Sequence, residues 1–158
     1  MSYEKLLKKA SHHGVDIYEK PMKPRIKGLY ADSVIWINKH IPTAAEKTCT
    51  LAEELGHHYT SIGDILDQSR IENRKQECRA RAWAYQRLVG PEKLIAAFEC
   101  GVRNRYELAE FLNVTEEFIG GAIKYFKQKH GLHYKLGNYC ITFEPLAVLK
   151  ISSKGGEF

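Results

Sequence analysis

The stretch LAEELGHHY, Leu51 to Tyr59, restricts this chain more than any other part of it. It sets Glu53 and Glu54 one helical turn ahead of His57 and His58, and residues at i and i+4 share a helix face. Stepped at about 100° per residue, Thr48, Leu51, Ala52, Leu55, Gly56, Tyr59 and Ile62 fall on one broad apolar arc that a folded chain turns toward its core. Glu46, Thr50, Glu53 and His57 fall together on the opposite side, with Glu54 beside them and His58 at the margin of the apolar arc. The helix packs by one side, and its other side is either a solvated face with an ordinary Glu-to-His pair or a site.

The site reading comes from zinc hydrolases, where two helical ligands four residues apart converge on one ion. The carboxylate after the first ligand flanks the metal-bound water as general base. That spacing assigns Glu53 and His57 as ligands and Glu54 as base. The usual first ligand is His, and here it is Glu53. Zinc accepts carboxylate oxygen as well as imidazole nitrogen, and a carboxylate-richer site also suits Mn²⁺ or Fe²⁺. His58 lies about 100° from His57 on the helix; it is a less favoured alternative ligand and is expected first as a histidine at the core margin.

A catalytic zinc takes three protein ligands. On a helix expected from Asn73 to Val89, Ala80, Ala84, Leu88, Cys78, Ala82, Tyr85 and Val89 form an apolar arc, and Glu77 falls inside it. A carboxylate aimed at a core is costly unless it is paired or ligates a metal. Either Arg81, one turn on, pairs with Glu77, or Glu77 is the third ligand. Asp64, beyond the break expected at Gly63, ranks behind Glu77 because a rigid helix preorganises a ligand better than a loop.

The rest of the chain reads as a mixed α+β protein. A helix over Tyr3 to His12 precedes a strand at Val15 to Tyr18. A hairpin follows, with Leu29 and Tyr30 leading through Ala31-Asp32-Ser33 to Val34–Ile37. Helices are expected over Glu92–Cys100, Arg105–Leu112 and Thr115–Lys129, then a β-hairpin from His133 to Ile151 split at Gly137-Asn138. The expected division is a metallopeptidase-like domain over 1–90 and a helix-turn-helix plus hairpin block of winged-helix shape over 91–151, followed by a flexible tail over 152–158.

The four cysteines form no CxxC pair and read as small buried hydrophobes. No apolar run is long enough to span a membrane, and a charged N-terminus without a signal core places the protein in the cytoplasm. A net charge of +5, spread along the chain, does not argue for nucleic acid. Nor do Glu116 and Glu117 at the start of the Thr115 helix, which would meet phosphates.

The chain resembles the ImmA/IrrE family of metallopeptidases. Ala52-Glu-Glu-Leu-Gly-His57 is similar to the family's H-E-L-G-H, Glu77-x-x-Ala80-x-x-Trp83-Ala84 to its downstream E-x-x-A-N-x-F-A, and Gly28 to Asn38 to the strand bordering its cleft. The chain also resembles a phage-borne, mobile-element branch in which Glu recurs at the position of Glu53. The resemblance implies a small zincin-like domain, with a short antiparallel sheet and active-site helices, in a bacterial host. It implies a zinc-dependent endopeptidase that cuts a helix-turn-helix repressor, with His57 and Glu77 as ligands and Glu54 as base. The strand near Val34 to Ile37 is expected to hold an extended substrate by edge pairing. The main rival is a degenerate module that captures a repressor without cutting it, and a further rival is a DNA-binding regulator.

Overall fold

The structure is a computed structural model that describes residues 1–61 and 70–152. The expected break at Gly63, the rival ligand Asp64 and all of the expected tail but Ser152 lie outside the described residues. The first helix, α1 (Tyr3–His12), starts where the Ser2 hydroxyl accepts the Lys5 N–H, and it buries Leu6 and Ala10. Three strands follow: β1 (Asp16–Lys20), β2 (Gly28–Ala31) and β3 (Val34–Asn38). The β2–β3 turn places Asp32 and Ser33 at φ 48° and 63°, as a two-residue hairpin turn with positive φ at both centres requires.

The sheet is mixed, not antiparallel as expected. Its order is β1-β3-β2, with β1 parallel and β2 antiparallel to β3. β1 and β3 are separated by a long connection, and nothing local in a sequence discloses a parallel pairing of that kind. The consequence is that β3 is the interior strand. It has no free edge, and the exposed edge beside the helices belongs to β2. Buried Asn38 fixes the approach to β2: its amide reaches the carbonyls of Met22, Lys23 and Ile26 at 3.1, 3.2 and 2.8 Å, and its carbonyl accepts the N–H of His40 at 3.0 Å.

Helix α2 (Ala44–Thr60) begins at Thr43, whose hydroxyl accepts the Glu46 N–H at 3.1 Å. Its expected inner face is buried at Thr48, Leu51, Ala52, Leu55 and Gly56, with Tyr59 half-buried. The opposite side is not a solvated face: Thr50 is 7% exposed, and Glu53, Glu54 and His57 are all half-buried.

Helix α3 (Arg70–Val89) buries Ala80, Ala84, Leu88 and Val89. Cys78 is exposed, which corrects the wider apolar arc drawn from the sequence, and Cys100 is exposed as well. Only Cys49 of the four cysteines is buried. The α2–α3 contact is close: a Cβ on Gly56 would stand 2.2 Å from the carbonyl oxygen of Ala80.

Helices α4 (Pro91–Glu99), α5 (Arg105–Leu112) and α6 (Glu116–His130) follow, α6 capped by Thr115. Asn113, left-handed at φ 55°, closes α5 and donates to the Thr48 hydroxyl at 3.1 Å, tying this turn to α2. Three antiparallel strands come last, β4 (His133–Leu136), β5 (Tyr139–Phe143) and β6 (Leu146–Lys150), in the order β4-β5-β6. The single expected hairpin is therefore two, because Glu144-Pro145 makes a second turn; proline lacks the N–H a continuing strand needs. One hydrophobic core runs from Leu6 of α1 through α2, α3 and α6 to Phe143 of β5. No described helix is long and apolar enough to cross a membrane.

Candidate metal centre

The tight Gly56–Ala80 approach sets the register of α2 against α3. It brings the residue after Gly56 to the residue one turn before Ala80. His57 Nε2 stands 3.2 Å from Glu77 Oε1, with side chains 20% and 55% exposed. Glu77 is thus not a core-facing carboxylate, as the helical arc suggested. It stands on a cleft rim and turns to His57 rather than to Arg81. For two ligands at about 2.0–2.1 Å on a tetrahedral ion, donor atoms lie roughly 3.3 Å apart. The observed pair has that spacing without rearrangement.

His57, Glu77 and Glu54 line one cavity of about 510 Å³. Gly28, Leu29, Tyr30 and Ala31 of β2 form its opposite wall. Four consecutive strand residues alternate in the direction of their side chains, so it is the edge of β2 that borders the space. Among the described lining residues are three carboxylates, Asp32, Glu54 and Glu77, one imidazole, and no lysine or arginine. Such a donor set lacks a compensating positive charge, and nitrogen and oxygen donors of this kind suit zinc and its neighbours.

Glu54 is pressed by the backbone of β2. A Cβ on Gly28 would stand 2.8 Å from both Cγ and Oε1 of Glu54. Burial, followed by the negative charges of Glu53 and Glu77, pushes the Glu54 carboxyl up to about 7. A group poised there accepts and returns a proton near neutrality, as a general base and acid must.

Glu53 is placed differently. It lines an adjacent cavity of about 600 Å³ with Lys27, Arg81, Tyr85 and Glu117. Burial raises its carboxyl pKa, the Arg81 charge opposes the rise, and Glu77 adds to it. Among the described residues no group of three His, Cys, Asp or Glu side chains is gathered for one ion. The structure brings His57 and Glu77 into contact, places Glu54 on the wall of the same cavity and puts Glu53 in the neighbouring one.

His58 holds the margin expected of it. Its Nδ1 is 3.0 Å from the Tyr30 hydroxyl, and its ring packs edge-on against Tyr30 and Tyr59. Burial lowers its pKa, and the hydrogen bond it shares with Tyr30 helps hold β2 against α2. That long-range contact has no local sequence signal. Gln76, also on the cavity wall, was missed although it neighbours Glu77.

Residues 10–124, from the end of α1 into α6, match the family model described as the IrrE N-terminal-like domain. The chain belongs to the peptidase M78 family. No curated protein is a significant match. Membership in peptidase M78 carries with it a zincin-like fold and a metallopeptidase type of function, and so a metal. Glu54, His57 and Glu77 all fall inside the peptidase M78 match.

Proposed function

We propose that this chain is a metal-dependent endopeptidase that cuts a regulatory protein, a helix-turn-helix repressor of a prophage or mobile element, in a bacterial cytoplasm. The carrying observation is the 3.2 Å meeting of His57 and Glu77 beside a Glu54 whose carboxyl is held near neutrality. His57 and Glu77 would hold the ion, with Glu53 as the candidate to join them. Zinc is the first expectation, Mn²⁺ or Fe²⁺ the next. A bound ion of this kind supplies carbonyl polarisation and a more acidic water.

The chain's own residues do the rest. The edge of β2, not β3, pairs with an extended substrate and lays its backbone across the cavity. Glu54 takes a proton from the attacking water and hands it to the departing amine. Tyr30 and His58 keep β2 at its distance from α2.

The placement of Glu53 in the neighbouring cavity favours one second reading, a module that binds its regulator without cutting it. Co-expression with repressors encoded beside it separates the two. Cleavage is expected with wild type and not with Glu54→Gln. Cleavage that survives the substitution removes Glu54 as base, and capture without cleavage by both proteins supports the binding module.

A further inference from the structure

We infer that the groove between α4, α5 and β6 is a docking site for an extended, apolar-then-acidic segment of a partner protein. The groove encloses about 470 Å³. Leu94 and Phe98 of α4 and Leu108 of α5 form one wall, and Leu146, Ala147 and Val148 of β6 form the other. Consecutive β6 residues project to opposite faces of the sheet, so a space touching all three runs along the strand's edge. β6 pairs only with β5 among the described residues. An unpaired, apolar edge is the kind of surface that proteins cover or use for strand addition. Phe98 and Leu149 remain 41% and 55% exposed beside it.

Charge selects the occupant. Arg103 and Arg105 line the groove as well, Arg105 where it adjoins a second hollow, and neither takes part in an ion pair among the described residues. Glu107 accepts the backbone N–H of Arg103 at 2.8 Å, at the start of α5. Past Arg105 and Leu146 the surface continues into a second hollow lined by Lys124 and by the Lys127–Glu144 ion pair, whose charges offset each other and leave Lys124, with Arg105, unpaired there among the described residues. An apolar stretch along β6 followed by carboxylates at the arginines matches both halves. A second copy of this chain does not, because its β6 ends in Lys150 and each chain carries +5. A nucleic acid finds cations there but gains nothing from the apolar trough.

The test uses the full chain in EDTA and a short fluorescent peptide of alternating valine and threonine followed by three aspartates. Micromolar binding is expected, with protection of the 147–149 amides from hydrogen exchange. The double substitution Arg103→Glu and Arg105→Glu should weaken it by about tenfold or more, roughly 1.4 kcal/mol. A peptide with lysines in place of the aspartates should regain binding to that variant, which a merely misfolded protein would not allow. The inference is overturned by absence of binding at millimolar peptide, or by equal binding to a peptide without valines. Protection at β2 instead of β6, displacement by duplex DNA, or self-association through β6 would also overturn it.

Discussion

Replacing Glu54 by Gln should abolish cleavage and, in the absence of metal, stabilise the fold. The carboxyl has an ordinary pKa of 4.5 and rises to about 7 in the folded chain because it is half-buried and faces Glu53 and Glu77. A folded pKa above the unfolded one means that the folded state holds the proton more tightly. The favourable contribution of the neutral acid is fully present below about pH 4.5 and is lost as pH rises through about 7. A displacement of that size, at about 1.4 kcal/mol per unit, caps the loss at roughly 3 kcal/mol. Water entering the open cavity reduces it, so about 1–3 kcal/mol is expected.

Urea denaturation with EDTA at pH 4 and pH 8 isolates the ionisation, because the packing difference between Glu and Gln is common to both conditions. At pH 4 the two proteins should differ by less than about 1 kcal/mol. At pH 8 the variant should be the more stable, with a melting temperature higher by about 2–4 °C for each kcal/mol in a chain of this size. A variant advantage that is independent of pH would refute the reasoning, and so would an advantage that shrinks toward pH 8.

Other substitutions test the same geometry. Adding Zn²⁺ at about 100 times its dissociation constant should stabilise wild type by about 2.7 kcal/mol and leave Glu77→Ala nearly unmoved in a thermal-shift assay. Gly56→Ala drives a methyl to 2.2 Å from the Ala80 carbonyl and should cost about 3 kcal/mol or more in chemical denaturation; a loss under 1 kcal/mol would deny the close α2–α3 contact. Gly28→Ala meets Cγ and Oε1 of Glu54 at 2.8 Å and the methyl of buried Thr50 at 2.9 Å, side chains rather than backbone. It should lower kcat by about tenfold or more, about 1.4 kcal/mol of barrier, while the melting temperature changes by only a few degrees.

The local features were legible before any coordinates. Thr43 and Thr115 announce their helices because a β-region residue with a hydroxyl satisfies an orphan N–H, and the 3.6-residue period marks the inner face of α2. Glu54 and His57 share a helix face, so their proximity is written in their spacing. What a sequence does not write is register between elements. The core-facing arc does not account for Glu77: it is more than half exposed, and it reaches His57 because Gly56 lets α2 and α3 touch backbone to backbone. The parallel β1–β3 pairing, which moves the free edge from β3 to β2, and the Tyr30–His58 bond both depend on contacts between distant segments. Pro145, which lacks the N–H a continuing strand needs, is a local signal of the turn between β5 and β6.

Glu53 and Glu54 are neighbours in the chain, yet opposite charges reach only one of them. Lys27 and Arg81 share the cavity of Glu53, whereas the described lining of the other cavity holds Asp32, Glu54 and Glu77 with His57 and no fixed cation. Burial first, and then repulsion from Glu53 and Glu77, weakens the metal-free fold at high pH, and a divalent ion would relieve the repulsive part. Metal and proton compete for the same excess negative charge, so their effects on stability cannot be independent. At pH 8 the stabilisation by saturating Zn²⁺ should be larger in wild type than in Glu54→Gln, by up to the roughly 3 kcal/mol that ionised Glu54 costs the empty cavity. At pH 5, where Glu54 keeps its proton, the difference should shrink to about 1 kcal/mol or less. Equal gains in both proteins at pH 8 would show that the ion sits elsewhere than beside Glu54, and would move the search for its ligands toward Glu53.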